Sequence, residues 1–286
     1  MSDAAVLLVV GGVVVVAAIG AGIWGARARR ELSPLAGAHA HNDYRQRRPL
    51  DSALRYGYVS VEADVWATDG ALLVGHDRSD LAPGWTLRRL YLEPLARRVA
   101  ERGSVYPGLD EPFQLVVEVK SDPEETYRLL ETELKGFADL LTRYEDGRIV
   151  PGAVRVVISG RCPRDTLAAQ PVRYAACDGS FAELGEALPA SLVPLISEKL
   201  GWRFSWRGQG PMPEEERQRL RRYVEQAHAE GRKVRFWDVP KKPGLVQKAV
   251  WRELQAAGVD YLDADKLRAL SNFLRRLAKQ AARKVG

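Results

Sequence analysis

The sequence predicts an α/β fold, a single (β/α)8 TIM barrel preceded by an N-terminal transmembrane helix. Three observations lead there. Short β-branched runs alternate with helical periodicity along the chain, the pattern of a parallel sheet covered by helices. Eight such runs fall in the roughly 250 residues after position 30, the size of one closed barrel. Before them, residues 4–26 carry no charged side chain.

That first run, AAVLLVVGGVVVVAAIGAGIWGA, is long enough to cross a hydrocarbon core of about 30 Å. Its glycines are tolerated in a membrane helix, Trp24 suits the interface, and Arg27, Arg29 and Arg30 follow at once. Met-Ser-Asp before it lacks the basic residues of a secretory signal. Residues 1–30 are therefore expected to be an uncleaved single-pass anchor, with a cleaved signal and secretion as the alternative. Residues 31–286 are expected to be the barrel, facing the cytoplasm by the positive-inside rule.

Within the barrel, strands are expected at 35–39, 58–64, 114–120, 153–159, 173–177, 192–197, 233–239 and 259–263. A short segment at 72–75 follows the second of these. Helices are expected at 123–143, 213–230, 244–257 and 266–286. The third-last opens with Glu214, Glu215 and Glu216, which suit the positive end of a helix dipole, and Gly231 supplies its stop. The last carries an apolar face of Leu267, Leu270, Leu274 and Leu277 flanked by basic residues. Cys162 and Cys177 permit at most one internal disulfide, and the sequence reading treats them as ordinary thiols.

Composition excludes several classes. Hydrophobic content of 46% and charged content of 28% are those of a globular chain, not a disordered or collagenous one. A net charge of +6, without a dense basic stripe, gives no support for nucleic acid as a partner. It is compatible with a phosphate-bearing substrate or an anionic membrane surface. Neither GxGxxG nor GxxxxGK[ST] is present, so nucleotide binding lacks its motif.

Barrel strands point their last residues at the catalytic face. Polar residues at the expected strand ends are His39 and His41, Glu62 and Asp64, and Glu118 and Lys120, with His76 after the 72–75 segment. Glu62 and Asp64, two apart on a strand, share a face. Two interior carboxylates repel unless a cation lies between them, and Glu118 adds a third from the next strand. Three oxygen ligands suit Mg²⁺ or Ca²⁺ better than zinc. A salt-bridge network with Lys120 is the alternative. Trp202, Phe204 and Trp206 would share a face if extended, and Trp237 ends the seventh strand, so Trp202, Trp206 and Trp237 are candidate walls for an apolar part of a substrate.

The stretch HAHNDYRQRRPLDSALRYGYVSVEADVWATDGALLVGHD, with the later WRGQGPMPEEER and GRKVRFWD, resembles the phosphatidylinositol-phospholipase-C-like, or glycerophosphodiester, phosphodiesterase superfamily. Within it the sequence looks most like the altered-inheritance-of-mitochondria protein six family, over about residues 37–265. The resemblance implies a TIM-barrel phosphoric diester hydrolase. His39 and His76 would be its acid–base pair, Glu62, Asp64 and Glu118 its metal ligands, and Lys120 the basic residue facing phosphate. The R-G and P-E-N-T of glycerophosphodiesterases are replaced by Ala40-His41-Asn42-Asp43. This leaves His41 as an alternative to His39 and places His41 and Asn42 among the substrate-binding candidates.

The expected function is metal-dependent hydrolysis of a glycerophosphodiester or phospholipid-like substrate. Two rivals stand beside it: a membrane-tethered binding protein with a non-catalytic barrel, and an amidohydrolase-type barrel using His39-Ala40-His41. The second would need further histidines on later strands, but the fifth and sixth end near Cys177 and Ser197 without any histidine.

Overall fold

The computed structural model describes residues 33–241 and 244–285. Eight parallel strands form the barrel: β1 (Leu35–Ala40), β2 (Tyr58–Thr68), β4 (Phe113–Val119), β7 (Val154–Gly160), β9 (Ala175–Gly179), β10 (Leu195–Lys199), β11 (Lys233–Trp237) and β12 (Tyr261–Ala264). They follow one another in chain order around the sheet, and β1 pairs with both β2 and β12, which closes it. The expected barrel and its strand order are thus present.

Eight helices cover it among the described residues: α1 (Asp51–Tyr56), α2 (Glu93–Arg102), α3 (Pro123–Lys135), α4 (Arg164–Ala168), α5 (Leu200–Arg203), α6 (Glu214–Ala229), α7 (Leu245–Ala256) and α8 (Leu267–Val285). Outward strand residues such as Val61, Ala63, Val65, Leu115 and Val117 are fully buried with helix residues such as Leu130, Leu220, Trp251 and Leu270. Inside the barrel, Val59, Val157, Leu195 and Tyr261 make a separate small apolar floor. Closure needs Gly37 in β1: its φ is +78°, and a Cβ there would lie 2.7 Å from the Asp260 carbonyl oxygen. At this point the β1–β2 register shifts.

Two local features depart from the sequence reading. Helical periodicity ran to residue 143, but α3 ends at Lys135. The chain then enters a hairpin of β5 (Arg143–Glu145) and β6 (Arg148–Val150), joined by β8 (Val172–Arg173) in a small second sheet. Asp146 and Gly147 both have positive φ, as the tight hairpin turn requires. The expected face of Trp202, Phe204 and Trp206 also fails, because residues 200–203 coil into α5.

The membrane-spanning helix expected at residues 4–26 lies outside the described residues. Among the described residues no helix is long and apolar enough to cross a membrane. The single-pass membrane location expected from the sequence is therefore withdrawn.

Cys162 and Cys177 form a disulfide across a sequence separation of 15, which corrects their reading as separate thiols. Closing a loop of this length should stabilise the fold by about 3 kcal/mol, chiefly by restricting the unfolded chain. Reduction, or the Cys162→Ser/Cys177→Ser double substitution, is expected to lower the urea midpoint accordingly. An unchanged midpoint would show that the bridge contributes nothing.

Candidate active site

The barrel mouth is polar around its whole circumference. Inward side chains around the mouth are His39 on β1, Glu62 and Asp64 on β2, Glu118 on β4, Ser159 on β7, Asp178 on β9, Ser197 on β10, Arg235 on β11 and Asp263 on β12. A cavity of about 810 Å³ opens above them.

Ligand oxygens of Glu62, Asp64 and Glu118 all lie within 4.8 Å of one another. In register, Asp64 stands beside Glu118. These three residues form a possible acidic metal-binding triad. The donor set fits a hard divalent cation, because it is all oxygen and Asp64 Oδ1 is buried with no hydrogen-bond partner. Crowding is visible in the proton affinities. Burial, then the charges of Glu62 and Asp64, push the Glu118 carboxyl up, partly offset by Lys120. Burial would do the same to Glu62, but Arg235 overrides it and holds that carboxyl well below its ordinary range. Lys120 Nζ lies 2.6 Å from Glu118 and 3.2 Å from Asp64.

The three candidate histidines part company. His39 is fully buried and does not line the cavity. Arg235 Nη1 donates to its Nε2 at 2.6 Å, so its Nδ1 carries the proton and donates to Ser60 Oγ at 2.7 Å. Burial and the Arg235 charge depress its pKa to about 4. His41 does line the cavity, with 18% of its side chain exposed. Its Nδ1 donates to Asp265 at 2.6 Å, and its Nε2 lies 3.8 Å from Glu62. Burial alone would lower its pKa, but Asp263, Asp265 and Glu62 raise it to about 9. His76 enters from the loop after β3 (Ala71–Val74), which runs antiparallel to the overhang of β2. Its Nδ1 donates to Asp64 at 2.9 Å, and it too lines the cavity. His41 and His76 therefore share one arrangement: a carboxylate fixes Nδ1 and leaves Nε2 for chemistry.

The HNDY segment braces this end. Asn42 adopts a left-handed backbone, φ 48°, and lines the cavity. Tyr44 donates to Asp64 at 2.9 Å. Asp43 turns inward and accepts from the Leu50 amide and the Tyr91 hydroxyl.

Trp237 and Trp202 meet edge to face at 5.5 Å on one wall, Trp202 being 67% exposed. Trp206 lies outside the cavity lining and donates instead to the Gln209 carbonyl. The neighbouring wall, from β7 and β9, holds Ser159, which donates to Asp178 at 2.5 Å, and Arg164, which pairs with Glu183.

The sequence matches the AIM6-like phosphodiesterase domain over residues 27–176, more than half of the chain. It is 34% identical to altered inheritance of mitochondria protein 6 of Eremothecium gossypii, over 87% of this chain and 72% of that protein. The Candida glabrata protein of the same name is 29% identical, over 87% and 73%. A homolog in Arthroderma benhamiae is 26% identical over 82% of each chain. The chain belongs to the AIM6-like phosphodiesterase family.

For this AIM6-like chain, the structure brings His41, Asn42, Glu62, His76, Glu118, Lys120, Trp202 and Trp237 to one cavity, with Asp64 in the triad beneath. His39 stands behind that surface and Trp206 beside it. Sequence reasoning missed Arg235, Asp178 and Arg164. The signal for Arg235 was present in KVRFW, where it sits mid-strand at the same parity as Trp237.

One pH dependence follows from Asp43. Burial raises its pKa from 3.8 to about 7, so between those values the folded state holds more protons than the unfolded one. Stability from this group therefore falls as pH rises through that window, and above pH 7 the full cost is present. Asp43→Asn should stabilise the fold at pH 8, by at most about 4 kcal/mol, with the gain shrinking toward pH 4. Denaturation of both proteins across this range checks it. A mutant-minus-wild-type difference that does not change with pH would refute the assignment.

Proposed function

We propose that the chain is a divalent-cation-dependent phosphodiester hydrolase in which His41 and His76 move the protons. One observation carries the reading: three carboxylates within reach of one cation, flanked by two cavity-facing histidines that each have Nδ1 fixed by an aspartate. Glu62, Asp64 and Glu118 would hold Mg²⁺ or Ca²⁺. Such an ion, when bound, stabilises negative charge on phosphoryl oxygens.

The chain's own residues supply the rest. One histidine takes a proton from the attacking water as the new P–O bond forms. The other protonates the leaving alkoxide as the old P–O bond breaks, giving a phosphate monoester and an alcohol. Where the substrate has a neighbouring hydroxyl, that group replaces water and a cyclic phosphodiester results. Lys120 offers a fixed positive charge beside the reacting group.

The cavity favours a substrate with two unlike alcohols. The Trp202–Trp237 wall suits an apolar group, and the Ser159–Asp178 wall suits hydroxyls. A glycerophosphodiester or phospholipid-derived molecule has both. The second reading is a non-catalytic binding barrel, favoured by Lys120, which already pairs with both Asp64 and Glu118 without a metal.

His41→Ala and His76→Ala should each lower turnover by roughly 10²–10⁴-fold with little change in Tm. Wild-type turnover in both variants would end the scheme. Hydrolysis of glycerophosphodiesters, lysophospholipids and sphingomyelin, followed by ³¹P NMR, should stop with chelator and return with Mg²⁺ or Ca²⁺. The same ion should raise the wild-type Tm but leave that of Glu62→Gln unmoved. Cleavage indifferent to chelator would remove the cation from the proposal, and no cleavage at all would favour the binding barrel.

A further inference from the structure

We infer that the Arg235 guanidinium is a catalytic group of this site, donating to a non-bridging oxygen of a phosphate ester bound against the carboxylate triad. The word catalytic rests on the phosphodiesterase reading above, whereas the phosphate contact does not.

Arg235 lies in the middle of β11, points into the barrel and lines the cavity. A buried guanidinium costs several kcal/mol unless its surroundings compensate it. Three of its directions are accounted for. Nε donates to Ser197 Oγ at 3.0 Å, while Nη1 donates to His39 Nε2 and to Glu62. Among the described residues, Nη2 has no protein partner. Neutralising Glu62 needs one edge of the group, and a lysine could do that. The fork is instead gripped on two sides and turned so that its remaining edge belongs to the cavity.

His39 explains how the orientation is kept. Ser60 accepts the His39 Nδ1 proton and also accepts from Gln114 at 3.1 Å. This leaves Nε2 as a lone-pair acceptor aimed at Arg235. The buried histidine is thus a positioning residue for the arginine. Lys120 stands on the other side of the triad. A singly charged diester would meet a cation on each flank, one a point charge and the other a held guanidinium whose Nη2 is left for a phosphoryl oxygen.

The test uses the full-length protein, orthophosphate as the binding probe and bis(4-nitrophenyl) phosphate as the activity probe. Arg235→Lys keeps the charge beside Glu62 but loses the fork. Expected are a Tm close to wild type, phosphate affinity reduced on the order of 10-fold to 100-fold, and a fall in kcat larger than the rise in KM. Wild-type phosphate affinity and kcat in Arg235→Lys would overturn the inference and leave Arg235 as a counter-ion for Glu62. Should Arg235→Lys fail to fold, the comparison is Glu62→Gln against Glu62→Gln/Arg235→Gln. Weaker phosphate binding in the double variant supports the contact, and equal binding overturns it. If the wild type cleaves no diester while Arg235→Lys still loses phosphate affinity, the phosphodiesterase reading falls and the phosphate contact stands.

Discussion

Five carboxylates share the mouth of one barrel, and everything around them answers to their repulsion. Glu62 and Asp64 on β2, Glu118 on β4, Asp178 on β9 and Asp263 on β12 come from four strands of one closed sheet, so none can withdraw. Arg235 and Lys120 divide the work of holding them. Where burial outweighs the nearby cations, the carboxyls are pushed toward the neutral form: burial raises Asp178 to about 7 and Asp263 to about 6, with only partial relief from Arg235 and other neighbouring cations. A mouth so charged is costly to fold around, and the cost is accepted beneath an open cavity rather than inside the apolar core.

The division of the interior follows from this. The main apolar core lies outside the strands, against the helices. Inside the barrel only a thin floor is apolar, and above it the polar layer begins with the edge contact of His39 on Tyr261. Stability and chemistry thus occupy opposite faces of the same eight strands. Substitution at an outward valine should act on folding, and substitution at its inward neighbour on the site.

The sequence made the acidic half of this legible and the basic half much less so. Glu62 and Asp64 were found because strand parity puts residues two apart on one face, and Glu118 because the next strand repeats the pattern. Arg235 was missed because one arginine in a strand gives no such repetition; its partners Glu62 and His39 are 173 and 196 residues away in sequence. The same limit governs His39 and His41. Two apart, they share strand parity, so no local pattern separates them; His39 lies inside β1 against Arg235, whereas His41 lies just past the strand's end in the cavity. The hairpin at Asp146–Gly147 had a readable turn, but the apolar spacing of Phe137, Leu140 and Leu141 continued a helix that Gly136 had already ended.

The disulfide has a consequence of counting. Cys162 and Cys177 are the chain's entire complement of cysteine, so one copy can form only one internal bridge. Oxidative maturation has no isomers to sort: an electron acceptor suffices, and disulfide shuffling has no substrate within the molecule. Miswiring is possible only between two copies. Its yield therefore rises with protein concentration, and dilution during oxidation is enough to suppress it.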